Sequence, residues 1–334
     1  MRPLIPNFSL LMRFYAVERY GYMNRLSVSI SPHFCDNSSS SRIMLDVLIA
    51  LVPAFAASIV FFGPRALLIT CVCVASCVLF ELLYQKAMKK PVTINDYTAC
   101  ITGVLLAFNL PVTIPLWQAV IGSAVAIILV KQLFGGLGRN FANPAITGRI
   151  VMFLAFATTM TTWEAPPLWS IAPDAVTGPT PLALLASGDT GQLPGVCHMI
   201  LGLRGGTIGE TSILALVIGW IYLMIRRVVS WHTPATYIAL VPLFAFALGQ
   251  DPLYHTLSGG LFLGAIFMAT DYATAPQTNK GRVVFGVLAA FFTVVIRVYS
   301  NYPEGVSFAI LILNILTPYI NKFTASKPLG ALKD

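Results

Sequence analysis

Charged side chains are scarce in this chain. Asp, Glu, Lys and Arg make up 10% of its 334 residues, while 57% are hydrophobic; a soluble domain is nearer a quarter charged. Apolar runs of roughly 14–20 residues recur from Ile43 to Ile320 with brief polar breaks, which leaves no room for a large soluble catalytic domain. Histidine is nearly absent, with four residues, and the six cysteines (Cys35, Cys71, Cys73, Cys77, Cys100 and Cys197) form no CxxC pair. No histidine stands near them at ligand spacing, which argues against a zinc site, and packing is favoured over a cluster held by Cys71, Cys73 and Cys77. Cys73 and Cys77 share a helix face and read as small core hydrophobes. The formal net charge of +8 raises the question of nucleic acid, but the polar surface is too small for a reading module, and a bias of basic loops accounts for the excess.

What is present is a series of membrane spans. Residues 1–41 are polar and irregular and lack an apolar stretch ending in a small-residue cleavage site, so they read as a cytoplasmic N-terminal segment and not as a cleaved signal peptide. Met23 opens a second start, which leaves the preceding residues as either an extension or a polar tail. Beyond them, about ten apolar stretches match bilayer thickness: residues 43–62, 66–84, 97–110, 116–134, 145–163, 211–225, 233–248, 257–269, 283–299 and 305–320. The strict alternation of a membrane strand is missing, so the fold class is an all-α polytopic membrane protein. Residues 42–163 form one five-helix membrane unit and residues 211–321 a second, separated by a hydrophilic loop over 164–210 and followed by a tail over 322–334.

Basic residues fix the expected orientation. The side holding both termini carries Arg42, Lys86, Lys89, Lys90, Lys131, Arg139, Arg226, Arg227, Lys280, Arg282, Lys322, Lys327 and Lys333, against Arg65 and Arg204 on the other. Both termini are therefore expected in the cytoplasm, with the 164–210 loop outside.

The two membrane units echo each other. Gly103–Phe108 runs into Asn109 and Pro111, and Gly260–Ala265 runs into Thr270, Asp271 and Pro276; Lys131 precedes the fifth span as Arg297 precedes the tenth, and the spacing is close to 160 residues. Five spans per copy is odd, so the second copy is expected inverted, with spans three and eight as short half-helices whose ends bind something near the midplane; ordinary short or tilted helices are the alternative. Asp46, Glu81, Lys131, Arg149 and Arg297 fall within or at the ends of spans, where a charge at the bilayer centre costs about 2.5–3.5 kcal/mol. Most sit near a span end and are expected to reach the interface, with a structural role favoured over an ion path for Lys131 and Arg297. The glycine-rich segments 135–140 and 204–210 read as interhelical turns, since the P-loop ending is missing from the first.

The outer loop carries Asp174, Thr177, Gly178 and Thr180 in the pattern D-x-x-[ST]-G-x-T. A hydroxyl exposed on such a Gly/Pro turn is presented to a modifying enzyme, with the aspartate placed to position a metal or phosphate donor; a plain proline-rich turn is the other reading.

From Ile30 to Tyr319 the chain resembles the D-type membrane subunit of the Rnf-type electron transport complex, in the family that also contains the B-type membrane subunit of the sodium-translocating NADH:quinone reductase. The residues that carry the resemblance are Ser31-Pro32-His33, Arg42 through Ala54, Gly135–Asn140 with Asn143-Pro144-Ala145, the Thr180 turn, Ile208–Ser212, and Ser258-Gly259-Gly260 through Met268–Asp271. The resemblance implies FMN joined through its phosphate to Thr180, with Asp174, Thr177 and Gly178 recognised by a flavin transferase. Pro179 stands where the family has a small residue, usually alanine, and narrows the turn's geometry. The resemblance further implies, for some members, a second, non-covalent flavin (riboflavin), for which the half-helix ends near Asn109 and Asp271 and the 135–144 turn with Asn143 are the places to look; it also implies an outer-face flavoprotein partner and other membrane and peripheral subunits of the complex. In that setting the flavin performs the electron chemistry and no side chain acts as a catalytic acid or base. The chain has no nicotinamide fingerprint, so NAD and ferredoxin chemistry falls to partners. The inverted repeat also suits a cofactor-free secondary transporter, and a passive assembly scaffold is the third class.

Overall fold

A computed structural model describes residues 39–163, 180–187, 191, 193–210, 212–300 and 304–325. Asp174, Thr177, Gly178 and Pro179 lie outside the described residues, as do the two terminal segments.

The described residues are helical, without a strand. Four helices are long and apolar enough to cross a membrane: α1 (Ser40–Phe62), α2 (Pro64–Ala87), α13 (Asn279–Tyr299) and α14 (Gly305–Thr324). Five shorter apolar helices accompany them: α3 (Thr98–Phe108), α4 (Leu116–Ala124, continued as a π-helix to Gln132), α5 (Pro144–Ala155), α9 (Ile213–Ile225) and α10 (His232–Ala247). The remainder are short: α6 (Ala157–Met160), α7 (Pro181–Ser187), α8 (Val196–Leu201), α11 (Pro252–Leu257) and α12 (Leu261–Leu263, continued as a π-helix over Gly264–Met268).

Helix starts follow local chemistry. Ser39 caps α1 by accepting from the Arg42 amide, Asn143 caps α5 with Pro144 in its first turn, Asp251 does the same for α11 with Pro252, and Thr278 accepts from Gly281 to begin α13. At the α1–α2 turn Gly63 adopts φ 70°, which a side chain would resist, and Pro64 then opens α2. Packing binds the elements into one core. α2 lies against α3 and α4, α10 against α11 and α13, and α13 against α14. Two further contacts join the halves of the chain: α1 with α9, and α5 with α14. The first of these is close, for a Cβ on Gly219 would lie 2.2 Å from the Ala50 carbonyl oxygen.

α3 ends inside the protein, at Phe108, where its last carbonyls would be left without partners. Asn109 and Leu110 meet the Leu105, Leu106 and Ala107 carbonyls, and the glycine-rich segment before α9 meets the next two: Gly209 N–H donates to the Phe108 carbonyl at 3.0 Å and Ile208 N–H to that of Leu110, just past the helix, at 3.1 Å. A Cβ on Gly209 would sit 2.2 Å from Phe108, so glycine is needed for this approach. The 204–210 segment is thus a plug that seals a buried helix end and carries Arg204 and Glu210 into the core, beyond the interhelical turn its sequence implies.

Candidate functional site

Lys131, Glu81, Arg149 and Arg297 are buried and partnered inside the protein. Lys131, held in the π-helical end of α4, donates from Nζ to Glu81 on α2 at 2.6 Å and to the Thr98 hydroxyl at the head of α3 at 2.6 Å. Gln85 donates to the other Glu81 oxygen at 3.3 Å. Position near a span end suggests that Glu81 and Lys131 reach the interface, but where the two helices cross both side chains are buried in the protein. Asp46 on α1 does meet the surface side of α9, accepting from Tyr222 at 2.9 Å and from Arg226 at 3.1 Å.

A second buried group surrounds the end of α3. Arg149 on α5 donates to Asn109 at 2.9 Å and to Ser307 on α14 at 3.1 Å, and pairs with Glu304. Arg204 donates to the Leu257 and Glu210 carbonyls. Arg297 on α13 donates to the His255 carbonyl at 2.5 Å and to that of Ser258 at 3.0 Å, gripping the link between α11 and α12. The Glu210 carboxylate acts electrostatically on all three guanidiniums. Among the described residues its Oε2, with Arg297 Nε, Arg204 Nε, His255 Nδ1, the Ser258 hydroxyl and Glu304 Oε1, has no hydrogen-bond partner. Of the charges in this cluster the sequence singles out Arg149 and Arg297. Glu210 and Glu304 lie in polar breaks between spans, and only folding shows that they turn inward.

Thr180 stands at the head of α7. Its carbonyl accepts from Leu184 at 3.0 Å and its hydroxyl accepts from the Ala183 amide at 3.2 Å, an N-cap arrangement. The residue is 6% exposed. This differs from the exposed hydroxyl that the Gly/Pro turn implies: Pro181 starts a helix, and capping draws the side chain inward. Directly beside α7 lies a cavity of about 650 Å³ whose walls include Leu182, Ala183, Leu185, Gln250, His255, Arg297 and Val298.

A second cavity, of about 410 Å³, opens among α1, α3, the 135–144 turn and the segment after α12. Asn143 and Asp271 both line it, together with Thr102, Lys131, Asn140, Thr270 and Gln277. Gly135, Gly136 and Gly138 adopt φ of 116°, 92° and 78° in that turn, a run of left-handed backbone suited to glycine. Burial holds the Asp271 carboxyl above its ordinary range, against hydrogen bonds from Thr274 and the Ala273 and Tyr272 amides that pull it down. Asn109 is not in this lining: it is bound to Arg149, and its Nδ2 meets the Met268 sulfur at 3.7 Å while Asn143 donates to the Met268 carbonyl at 3.5 Å. Asn109 and Asn143 thus meet around one methionine, from different sides.

These features define a helical membrane protein with buried, paired charges and two polar-edged cavities. The chain belongs to the NQR2, RnfD, RnfE family, which it matches over residues 27–330. It is 46% identical over 310 residues to the D-type subunit of the Na+-translocating ferredoxin:NAD+ oxidoreductase complex of Acetobacterium woodii, an alignment covering 92% of this chain and 96% of that protein. It is 39% identical to the D-type subunit of the proton-translocating ferredoxin:NAD+ oxidoreductase complex of Clostridium ljungdahlii, covering 92% of this chain and 97% of that one. To the D-type subunit of the ion-translocating oxidoreductase complex of Cellvibrio japonicus it is 35% identical, covering 91% and 94%.

Proposed function

We propose that this chain is the D-type membrane subunit of an ion-translocating oxidoreductase complex in the bacterial inner membrane. It passes electrons through FMN joined covalently to Thr180 and helps couple electron flow between ferredoxin and NAD to movement of Na+ or H+. Family membership supports the setting. The observation that carries the flavin reading is Thr180 itself: it ends the D-x-x-[ST]-G-x-T pattern and heads a helix that walls a cavity of about 650 Å³, inside the range of roughly 300–1,000 Å³ typical of cofactor pockets. Bound there, the flavin supplies the electron chemistry, while the chain supplies tether, orientation and electrostatics. Because the hydroxyl is buried as a cap, its modification by the flavin transferase requires the first turn of α7 to open. A seven-residue helix is marginal enough to allow this.

The smaller cavity suits the second, non-covalent flavin. Asn143 and Asp271 provide polar contacts on its wall and the left-handed glycines of the 135–144 turn allow close backbone approach. The architecture is read as ten spans in two inverted five-helix repeats, with both termini cytoplasmic and the 164–210 loop outside, where an outer-face flavoprotein subunit exchanges electrons with it. Two matching basic grips support the repeat: Lys131 holds Thr98 at the head of α3, and Arg297 holds Ser258 ahead of α12, a spacing near 160 residues in each case. The contacts of α1 with α9 and of α5 with α14 agree with it, since each joins equivalent helices of the two copies.

The deciding experiment is flavin fluorescence after denaturing electrophoresis of the chain made together with its flavin transferase. A fluorescent band that is lost in Thr180→Ala supports the reading. A dark wild-type band, with the transferase active on another substrate, overturns it in favour of a cofactor-free transporter or scaffold.

A further inference from the structure

The smaller cavity is joined to the protein surface by a short chain of hydrogen bonds. Thr98 and Lys131 both line its wall. Lys131 Nζ donates to the Thr98 hydroxyl at 2.6 Å, and that hydroxyl donates to Asp96 Oδ1 at 2.6 Å. Asp96 ends a single 3-10 turn, Ile94–Asp96, and is half-buried, with Asn95 and Tyr97 exposed on either side of it. The Thr98 amide donates to the same Asp96 oxygen at 2.9 Å, which fixes the carboxylate against the head of α3. Asp96, Thr98 and Lys131 thus reach from the surface to the cavity wall, each at hydrogen-bond distance from the next.

Other ionisable groups face Lys131 without completing such a chain: Glu81, Cys77 and Cys100. Glu81 is fully buried, and its second oxygen is met by Gln85, whose amide donates but does not hand a proton on. Neither thiol is hydrogen-bonded to Lys131 among the described residues. Two of the three Nζ–H donors go to Glu81 and Thr98, which leaves the third for the cavity. A fixed ammonium on the wall repels metal cations, so this chain suits protons and not Na+.

We propose that Asp96, Thr98 and Lys131 are a proton relay that feeds the smaller cavity, with Lys131 as the acid that protonates a redox ring seated there. This rests on the reading that the cavity holds the non-covalent flavin, and it gives the chain an acid–base role beyond the electrostatic one that its sequence implies. The electrons are those carried through the complex. As they arrive, a Lys131 Nζ–H bond breaks and an N–H bond forms on the ring, which leaves a neutral amine at Lys131. The Thr98 hydroxyl rotates to pass its proton to that amine while it takes one from Asp96, itself protonated from solvent. One proton enters at Asp96 for each that leaves Lys131, so the three side chains end as they began. On the orientation proposed above, that proton comes from the cytoplasm.

The test uses the whole purified complex under flash photoreduction in weak buffer, read by a pH-indicator dye, with non-covalent flavin released on denaturation as the measure of occupancy. The uptake phase followed is the one lost from Asp271→Asn, where that flavin is depleted. Asp96→Asn keeps the acceptor oxygen that Thr98 needs and removes only the titrating proton. It is expected to slow proton uptake roughly a hundredfold at unchanged flavin content, with formate, a small weak acid, restoring most of the rate. Thr98→Val is expected to slow uptake likewise, and Thr98→Ser to behave as wild type. Asp96→Asn and Thr98→Val complexes that hold their flavin and take up protons at the wild-type rate overturn the relay and leave the cavity reading standing. Slow uptake in Asp96→Asn that formate does not restore assigns Asp96 to structure and overturns its part in the relay. A wild-type complex that releases no non-covalent flavin overturns the cavity reading and the relay with it. If Thr98→Val fails to assemble, Asp96→Asn with formate decides.

Discussion

Lys131 Nζ lies 2.6 Å from Glu81 Oε2, and the two side chains are 2% and 1% exposed. Fifty residues separate them in sequence, yet they form a closed pair at the crossing of α2 and α4, completed by Thr98 and Gln85. Breaking one partner of such a pair strands a buried charge, which costs about 3–5 kcal/mol, whereas replacing both with apolar groups is often neutral. Lys131→Met is expected to lower the melting temperature of the detergent-solubilised chain and reduce assembled complex, and Lys131→Met with Glu81→Leu to recover most of both. Normal assembly of the single variant with altered ion pumping would instead place the pair on the ion path.

Thr180 has two roles in the proposed function, tether and cap. Thr180→Ala removes both, with loss of in-gel flavin and a cap penalty of about 0.5–2 kcal/mol on α7. Thr180→Ser keeps a hydroxyl at the same position, and is expected to retain the cap and at least part of the flavin. Comparing covalent flavin with resistance of the 180–187 segment to proteolysis separates the two effects.

Close approach of α1 and α9 depends on one missing side chain. Any Cβ at Gly219 would collide with the Ala50 carbonyl, so Gly219→Val must force the helices apart. Overpacking of this kind costs roughly 1–3 kcal/mol or more. The expected result is a lower melting temperature with covalent flavin retained in the folded fraction, read by a thermal melt alongside the gel assay.

Burial lowers the His255 imidazole to about 4 from its ordinary 6.5, and Arg297 beside it pushes in the same direction. The folded state therefore favours neutral histidine. Its contribution is fully present above pH 6.5 and is lost as pH falls toward about 4, where the folded protein must accept a proton in a basic pocket. Stability of the complex is expected to drop across that window. His255→Gln should flatten the drop there while leaving stability at pH 8 little changed, as measured by melts at both ends of the range.

The second cavity has its own check. Asp271→Asn and Asn143→Ala are expected to lower non-covalent flavin released on denaturation, while leaving the fluorescence of the Thr180 band unchanged. Loss of both signals together would assign these residues to folding.

Much of this protein was legible in its sequence, for a physical reason: hydrocarbon tolerates only apolar, internally hydrogen-bonded segments, so apolar runs and their Ser, Asn, Asp and Pro starts mark the helices directly. Residues 43–62, 66–84, 283–299 and 305–320 coincide with the four long apolar helices, and the glycine turn at 135–140 is a turn. The family was legible too, because its motifs are local in sequence. Partnership was not. That Glu81 meets Lys131, that Glu210 folds inward to face three arginines, that Thr180 is the buried cap of a helix that walls a cavity, and that Asn109 binds Arg149 while Asn143 and Asp271 line another space are all consequences of which helices cross and how closely. Those contacts are set by close glycine approaches such as Gly219 on Ala50 between helices and Gly209 of the 204–210 plug on Phe108, and a one-dimensional pattern of polarity carries no record of them. The sequence by itself determined where the long apolar helices form and which residues were costly to bury, because both depend on local chemistry. Only the tertiary structure decided which of those costs are met by one another, because a charge in an apolar core is tolerated through a partner whose place is fixed by packing.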